Sequence, residues 1–595
     1  MVTAKARTLF ECSWEVCNKV GGIYTVVSSK ASHMLKYYKE YFLVGPYFKD
    51  RAEPEFQEEE PPKELKDIFY ELSAETGIVC HYGFWLIEGE PKVILLEFNS
   101  IKYRTNYLKK YFWENFQVES LYSSWEFEEP MLWSYAIGLL IDKYQKKTGK
   151  QSIVAHFHEW LSGFGLLHLK LVNPLVKTIF TTHATMLGRS LASRGIDIYT
   201  NLKEINSYDE ARRIGIMDKF TAERACAQNA NVFTTVSEIA GKEAEHILGR
   251  KPEVLVLNGF NADDFPTIEE TSMMHIKARR KIRDYLTYHF FPYYPMDLKH
   301  NLIFSTFGRP EIKNKGTDIL IKALGKLNRD MKENPIRNRT ISVFLWPLQD
   351  NNGPKMDILK DKNHFKRIKD AIEQNSDTIF EDILYDVMYN RKINVDTSLN
   401  QKFLLNMRKS RFSLKKQGKP PLCSYNIGDE RNNEIINMLL NEGLDNSKEN
   451  PVKVILYPAS LSSNDLLLNL DLYDAIAGCH FTILPSYYEP WGYTPLESIA
   501  VGVPTVTTDL TGFGKFMDKK VKKSEKSEGV FILERYQKTE EESTEKLFQI
   551  MKQFASLRHT ERVKNKVNAK ELSFNADWKF LIKNYIDAHN ISLEK

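Results

Sequence analysis

The stretch FTILPSYYEPWGYTPLESIAVGVPTVTT (481–508) reads as a strand, a loop, a helix and a second strand. FTILPS is a short apolar run of the kind buried strands use. YYEPWGYT is rich in turn formers, and PLESIAVG has helical spacing with proline near its start and Gly502 past its end,. VPTVTT then resumes a strand. Buried strands joined through helices imply a parallel sheet, and such sheets carry ligands at the carboxyl ends of their strands. Glu489 falls in that strand-end loop, and Glu497 follows eight residues later. With Thr494 as N-cap, Glu497 would complete a capping box, a purely structural role. Glu489 has no such local employment.

The alternation extends in both directions. Upstream, TLFEC (8–12), SIVAHF (152–157), VKTIFTTHAT (176–185) and NVFTTVS (231–237) are strand-like, and IYTVVSSKASHML (23–35) has a helical stripe through Val26, Val27 and Ala31. VLVLNGFN (254–261) reads as a last strand before a connection. NLIFSTFGR (301–309) starts the pattern again, followed by a helix in KGTDILIKALGKL and strands in RTISVFLW, VKVILYP and GVFIL. The expected fold is therefore α/β, with two facing Rossmann-like domains over 1–275 and 276–575 and a final helix at 576–595 crossing back to the first,. Between about 355 and 420 the chain turns lysine-rich and helical, which reads as an inserted arm in the second domain,. It is either a solvated helix pair or an oligomer contact.

Length and composition agree with this organisation. A chain of 595 residues, 42% hydrophobic, supports two or more domains with ample core,. Its 82 basic and 78 acidic side chains leave +4, which gives no reason to expect nucleic acid or an anionic membrane as partner,. The six cysteines show no metal-ligand spacing and read as reduced thiols of a cytoplasmic protein,. No secretory leader is evident, and the longest apolar run, 131–141, is far short of a membrane span,.

Four strand-end loops carry further candidates. EVCNKVGGIYTV (15–26) offers Lys19 and a Gly21–Gly22 turn before a helix, whose free N–H groups and dipole suit an anion,; a plain tight turn is the alternative. GRPEIKNKG (308–316) places Arg309 at a strand end and Lys315 six residues on, where they can grip a diphosphate or be ordinary surface charge,. TTHATMLGR (181–189) supplies His183 and Arg189, and AHFHEW (155–160) two more histidines.

These segments, taken in order with LVGPY, WLIEG, GRKPE, NGFN, GCHFTILPSYYEPWGYTP and TGFGKFM, resemble the animal and fungal type of glycogen synthase over nearly the whole chain. The resemblance implies a retaining glucosyltransferase that moves glucose from UDP-glucose to the non-reducing end of an α-1,4-glucan. By that resemblance Glu489 is the active-site carboxylate. Lys19, Gly21 and Gly22 lie against the donor phosphates, and Arg309 and Lys315 neutralise the leaving group. His183 and Arg189 contact the donor on the sugar side. Tyr493 stacks on uracil, Trp491, Gly492 and Thr494 line its pocket, and Glu497 holds the ribose. No cofactor or metal is expected: the chain has no D-x-D triplet of the kind metal-dependent nucleotide-sugar enzymes carry.

The same resemblance implies glucose-6-phosphate as an activator, held by His480 and by Arg558, Arg562 and Lys566, which lie four apart on one helix face,. The family's run of arginines is thinned here, with His559 and Thr560 where arginines are usual. A weaker grip is expected, since lysine lacks the planar fork of arginine. A homotetramer through the arm and a glycogenin-like primer protein are the further partners implied. Two other readings stay open, an ADP-glucose-using glucan synthase and a catalytically inactive glucan-binding scaffold.

Overall fold

The computed structural model describes residues 3–391, 405, 408–410, 412, 414–521 and 528–595. Two sheets organise them. The first contains β1 (Thr8–Cys12), β2 (Glu40–Pro46), β3 (Phe56–Glu58), β4 (Val79–Trp85), β5 (Lys92–Glu97), β6 (Ile153–His158), β7 (Lys177–Thr182), β8 (Val232–Thr235) and β9 (Val254–Leu255). Their order is β3-β4-β5-β2-β1-β6-β7-β8-β9. All neighbours from β5 to β9 pair in parallel, and β3 and β4 form an antiparallel edge.

The second sheet contains β10 (Asn301–Gly308), β11 (Thr340–Pro347), β12 (Val452–Leu456), β13 (Phe481–Ile483), β14 (Thr505–Thr508) and β15 (Val530–Leu533). It is wholly parallel, in the order β12-β11-β10-β13-β14-β15. Renumbered within the sheet this is 3-2-1-4-5-6, the doubly wound order, with its switch point between β10 and β13. In the first sheet the corresponding switch lies between β1 and β6. β1, β10 and β6 are almost wholly buried, as strands covered on both faces must be,.

The last helix, Trp578–Glu594, lies on the first sheet, with Trp578, Leu581, Ile582, Tyr585 and Ile586 buried beside Val26 and Val27 of the Gly22–Met34 helix. Trp491, Leu496, Ile499 and Phe513, which follow strands of the second sheet, join that same cluster. One core therefore runs across both halves of the chain.

The strands read from the sequence are present. β2 to β5 were not among them. β4 is only partly buried and lacks a continuous apolar run, but β5, KVILLE, carries one as strong as those used. The arm begins as two helices, Met356–Gln374 and Ser376–Met388. The second buries no residue and exposes Phe380, Leu384, Val387 and Met388. Residues 392–404, 406, 407, 411 and 413 of the expected arm lie outside the described residues. From 415 the chain is largely irregular until the Glu434–Asn441 helix, so the last few residues of the expected arm, 415–420, are not helical. All six cysteines are unpaired thiols, five of them buried. Among the described residues no helix is long and apolar enough to cross a membrane.

Candidate active site

The loop after β10 folds into a short helical turn, Ile312–Lys315, closed by Gly316 at φ 68°. A Cβ at Gly316 would stand 2.1 Å from the carbonyl oxygen of Pro485. Only glycine fits this left-handed, close-packed position. The contact brings Lys315 against the loop after β13, and its ammonium forms an ion pair with the Glu489 carboxylate. Both side chains are about one-fifth exposed, 18% and 23%. Arg309 does not join them. It pairs with Glu311 at 3.2 Å and is 74% exposed.

The helix after Glu489 begins two residues earlier than the capping-box reading requires. It runs Tyr493–Ala500, with Gly492 (φ 105°) at the N-cap and no side-chain cap. Thr494 is already inside the first turn, so the box with Glu497 does not form. Glu497 instead accepts a hydrogen bond from the Tyr473 hydroxyl at 3.0 Å, and burial raises its pKa. Tyr493 donates its hydroxyl to the Gly259 carbonyl at 3.1 Å. Trp491 is 3% exposed and packs on Phe513 and Phe516, so it belongs to the core rather than to a pocket wall.

On the facing sheet, the N-terminus of the Gly22–Met34 helix is already satisfied. Glu15 accepts hydrogen bonds from the Gly21 and Tyr24 amides at 2.7 and 2.9 Å. Its carboxylate stands where an anionic ligand would. Burial raises the Glu15 pKa, partly offset by the backbone donors and by Arg189. A Cβ at Gly21 would meet Glu15 at 3.2 Å, whereas Gly22 faces open space, so close packing accounts for the first glycine alone. Lys19 is exposed and lies 5.4 Å over the Tyr24 ring.

His183 follows β7 and is buried. Its amide and that of Ala184 donate to Glu159 at 3.0 and 3.3 Å, and Glu159 sits at φ 64°, a costly conformation for a non-glycine residue,. Arg189 reaches solvent at the cleft wall. Burial lowers its pKa, but Glu159 foremost, then Tyr488, Glu223 and Glu243, raise it further. The sequence reading missed Glu15, Glu159, Glu223 and Glu243. The signal was available for Glu159, an acid next to AHFH at a strand end, and absent for the others.

The loop around Glu489 is fastened to the first sheet's side. The Tyr487 hydroxyl donates to Asp197 and accepts from the Ile198 amide at 2.8 Å, Tyr488 donates to Glu243 at 2.9 Å, and Ser237 donates to the Pro490 carbonyl at 2.6 Å.

A second site lies away from this cleft. A cavity of about 350 Å³ is lined by His275, Arg279, His480, Arg562, Lys566 and Lys570. His480 accepts from the Ile303 amide at 2.9 Å, which puts its remaining proton on Nε2. Burial, then Lys566 and Arg279, press the His275 pKa down to about 2. Burial, then Arg283, lower Arg279 to about 9, and burial, then Arg339, lower Arg562 to about 10. Arg558 does not reach the cavity. It precedes the His559–Ser573 helix and its amide donates to Glu561 at 2.7 Å. His275 and Arg279, from the distant Ile268–Phe290 helix, were not legible as members of this set.

The family model described as glycogen synthase matches residues 11–595. Glycogen [starch] synthase of Caenorhabditis elegans is 34% identical over 99% of this chain and 88% of its own length. The liver glycogen [starch] synthase of Rattus norvegicus is 34% identical over 99% of this chain and 83% of its own. The Dictyostelium discoideum glycogen [starch] synthase is likewise 34% identical, but this chain spans 66% of its length. Among solved structures, the catalytic domain of starch synthase IV from Arabidopsis thaliana, bound to ADP and acarbose, superposes with a TM-score of 0.52 at 12% identity, over 99% of this chain and all of that one. At that identity the likeness shows the fold alone: two facing Rossmann-like domains, the GT-B architecture.

Replacing Gly316 by alanine should destabilise the chain by about 1–3 kcal/mol through its backbone alone. The added clash with Pro485 should also pull Lys315 from Glu489. Urea unfolding checks the first effect and glucosyl transfer the second. A variant as stable and active as the parent would show that the turn does not position the lysine.

Proposed function

The chain belongs to the glycogen synthase family and is a glycosyltransferase; we propose that it transfers glucose from UDP-glucose to the non-reducing end of an α-1,4-glucan, with retention and without a metal. The observation that carries this reading is the Lys315–Glu489 pair at the switch point of the second sheet, opposite the His183 loop. An oxocarbenium-like sugar needs a nearby carboxylate, and a departing diphosphate needs fixed cations and N–H donors. Without a donor, the two opposite charges hold each other. A bound diphosphate would draw Lys315 to itself and free Glu489 for the anomeric carbon. Lys19, and Arg309 on leaving its exposed pair with Glu311, would swing toward the same phosphates. Glu15 holds the helix N-terminus until the phosphates replace it. Tyr493, Gly492 and Thr494 would border the base and Glu497 the ribose. The Glu11–His156–His158 group has metal-like spacing, but Lys30 sits on Glu11 and both nitrogens of each histidine are already hydrogen-bonded.

The donor test is direct. UDP-glucose should label glycogen and UDP should inhibit, with ADP-glucose and ADP far weaker; the reverse preference would favour the ADP-glucose reading, and no transfer at all the scaffold. Glu489→Gln should lower kcat by roughly 100-fold or more with UDP affinity retained. A fully active variant removes Glu489 from the chemistry.

We further propose that the basic cavity takes glucose-6-phosphate and that this activates the enzyme. Arg279, Arg562 and Lys566, partly buried and acted on chiefly by neighbouring cations, suit a phosphate, and Arg279 makes good part of the thinned arginine run. Burial lowers Lys570, in the same cavity, to about 8. Below that pH it is charged before the anion arrives. Above it, binding must take up a proton, so affinity should fall as pH rises through about 8, by at most about tenfold per pH unit,. Calorimetric titration across that range checks it. Affinity rising with pH, or activity indifferent to millimolar sugar phosphate, would refute the assignment.

The exposed apolar face of the Ser376–Met388 helix supports a homotetramer built through the arm,. Leu384→Glu with Val387→Glu should reduce the mass seen by light scattering, and an unchanged mass would place the interface elsewhere. Six unpaired cysteines support a cytoplasmic location,. A glycogenin-like primer protein remains the proposed source of the first glucan chain.

A further inference from the structure

Beneath His183 lies a buried ion pair that the reaction does not directly require. Lys30 and Glu11 are both fully buried, and the Lys30 ammonium is hydrogen-bonded to Glu11 Oε1. The same oxygen is 2.7 Å from His158 Nε2, and Glu11 Oε2 accepts from the Tyr41 hydroxyl at 2.5 Å. His158 Nδ1 is then 3.0 Å from His183 Nε2.

The proton positions in this chain follow from counting donors. Burial raises the Glu11 pKa, but Lys30 first, then His158, pull it well below the usual carboxylate range. A carboxylate has no hydrogen to give, so His158 Nε2 must carry the proton and donate it. Burial keeps His158 neutral, with Lys30 acting in the same direction and Glu11 against it. A neutral imidazole has one N–H, so His158 Nδ1 is a bare acceptor. The hydrogen between the two rings therefore belongs to His183 Nε2. Burial, then His158, keep His183 neutral as well, so its Nδ1 is left as a lone pair. Among the described residues the ring's hydrogen bond is the one at Nε2, and none reaches that nitrogen.

His156 does not blur this assignment. It stacks on His158 with ring centres 4.4 Å apart, but its nitrogens face His589 at 3.1 Å and Thr181 at 2.6 Å. That is a separate chain.

We infer that Glu11 and His158 are positioning residues that lock His183 in its Nε2–H tautomer, presenting Nδ1 as an acceptor to a hydroxyl of the transferred sugar. The inference deepens the proposed function and rests on its placement of His183 beside the donor. The logic is that of a buried carboxylate fixing an imidazole through a hydrogen bond, here relayed through a second ring. It also gives a reason for burying a charged pair at this place, since such pairs contribute little net stability.

Two measurements test it. In protein labelled with ¹⁵N-histidine, with a His183→Gln variant to assign the signal, His183 should show a protonated Nε2 and a bare Nδ1 at neutral pH. A proton on Nδ1, or an imidazolium, overturns the inference. In the double variant Glu11→Gln with Lys30→Met, no unpaired charge is buried, and the carboxamide can donate to His158 and invert both rings. We expect the His183 signal to move toward the Nδ1–H form and kcat to fall about 100-fold, with the KM for the donor changed by no more than about twofold. An unmoved tautomer with undiminished kcat overturns it. If the double variant does not fold, as melting would show, the spectrum of the parent protein decides alone. No transfer by either protein would count against the donor assignment, whereas the tautomer is read without any donor.

Discussion

The molecule depends on how tightly the segment around Glu489 is held between two sheets. Gly316 on one side and Gly512 on the other have no room for a methyl group: a Cβ would lie 2.1 Å from the Pro485 carbonyl and 2.2 Å from the Pro490 carbonyl. These are backbone contacts, which cannot be relieved by a rotamer change. Tyr487, Tyr488 and Ser237 then tie the same few residues to the first sheet's side. A carboxylate on so fixed a backbone needs no large rearrangement to be in place, which is how preorganised charge lowers a barrier. Gly512 serves this purpose from a helix start that has no chemistry of its own.

Burial of charge is concentrated on the first sheet. Glu11, Glu159, Glu223 and Glu243 are all nearly inaccessible, and each is answered locally. Glu11 has Lys30, Tyr41 and His158; Glu159 has two backbone amides; Glu223 has Thr182 and the Met186 amide; Glu243 has three hydroxyls. A buried acid left without donors would cost several kcal/mol. The satisfied set makes a rigid polar floor under the cleft, and Arg189 is the cation that stands over it.

Much of this fold was legible in the sequence because buried parallel strands carry long apolar runs, and each of β1, β6, β7, β10 and β11 declared itself that way. Glu489 and Lys315 were legible for a related reason: the loops after β10 and β13 leave the two central strands, and topology alone brings them together. What was not legible depended on contacts distant in the chain. Thr494 and Glu497 fit a capping box locally, but the helix starts early at Tyr493, and Tyr473 claims the acid. Glu15 looked like any acid before a turn until the helix behind it closed over its carboxylate. Trp491 shared a motif with pocket residues and went to the core because Phe513 and Phe516 lay beneath it.

The two polar sites differ in how their charges stand without ligands, and this bears on how each would respond to one. In the cleft the central charges have partners of opposite sign: Lys315 with Glu489, the helix N-terminus with Glu15, Arg189 with Glu159. A ligand there exchanges one set of pairings for another, so much of its charge interaction goes into replacing what it displaces. In the basic cavity, among the described residues, no acid forms an ion pair with Arg279, Arg562 or Lys566, and Glu270 acts on Lys570 from a distance. The groups acting on Arg279 and Arg562 are chiefly other arginines, and Lys566 is lowered by burial and by Arg279. Charge repulsion is stored there, and an anion relieves it outright. The helices that share this relief, Ile268–Phe290 and His559–Ser573, lean on the Tyr493–Ala500 helix that begins four residues after Glu489: Gly502 faces Thr271, and Lys570 donates to the Ala500 carbonyl at 2.8 Å. If the proposed anion pulls the cationic helices together, it would act directly on the element that follows the Glu489 loop, a physical connection short enough to need no longer pathway.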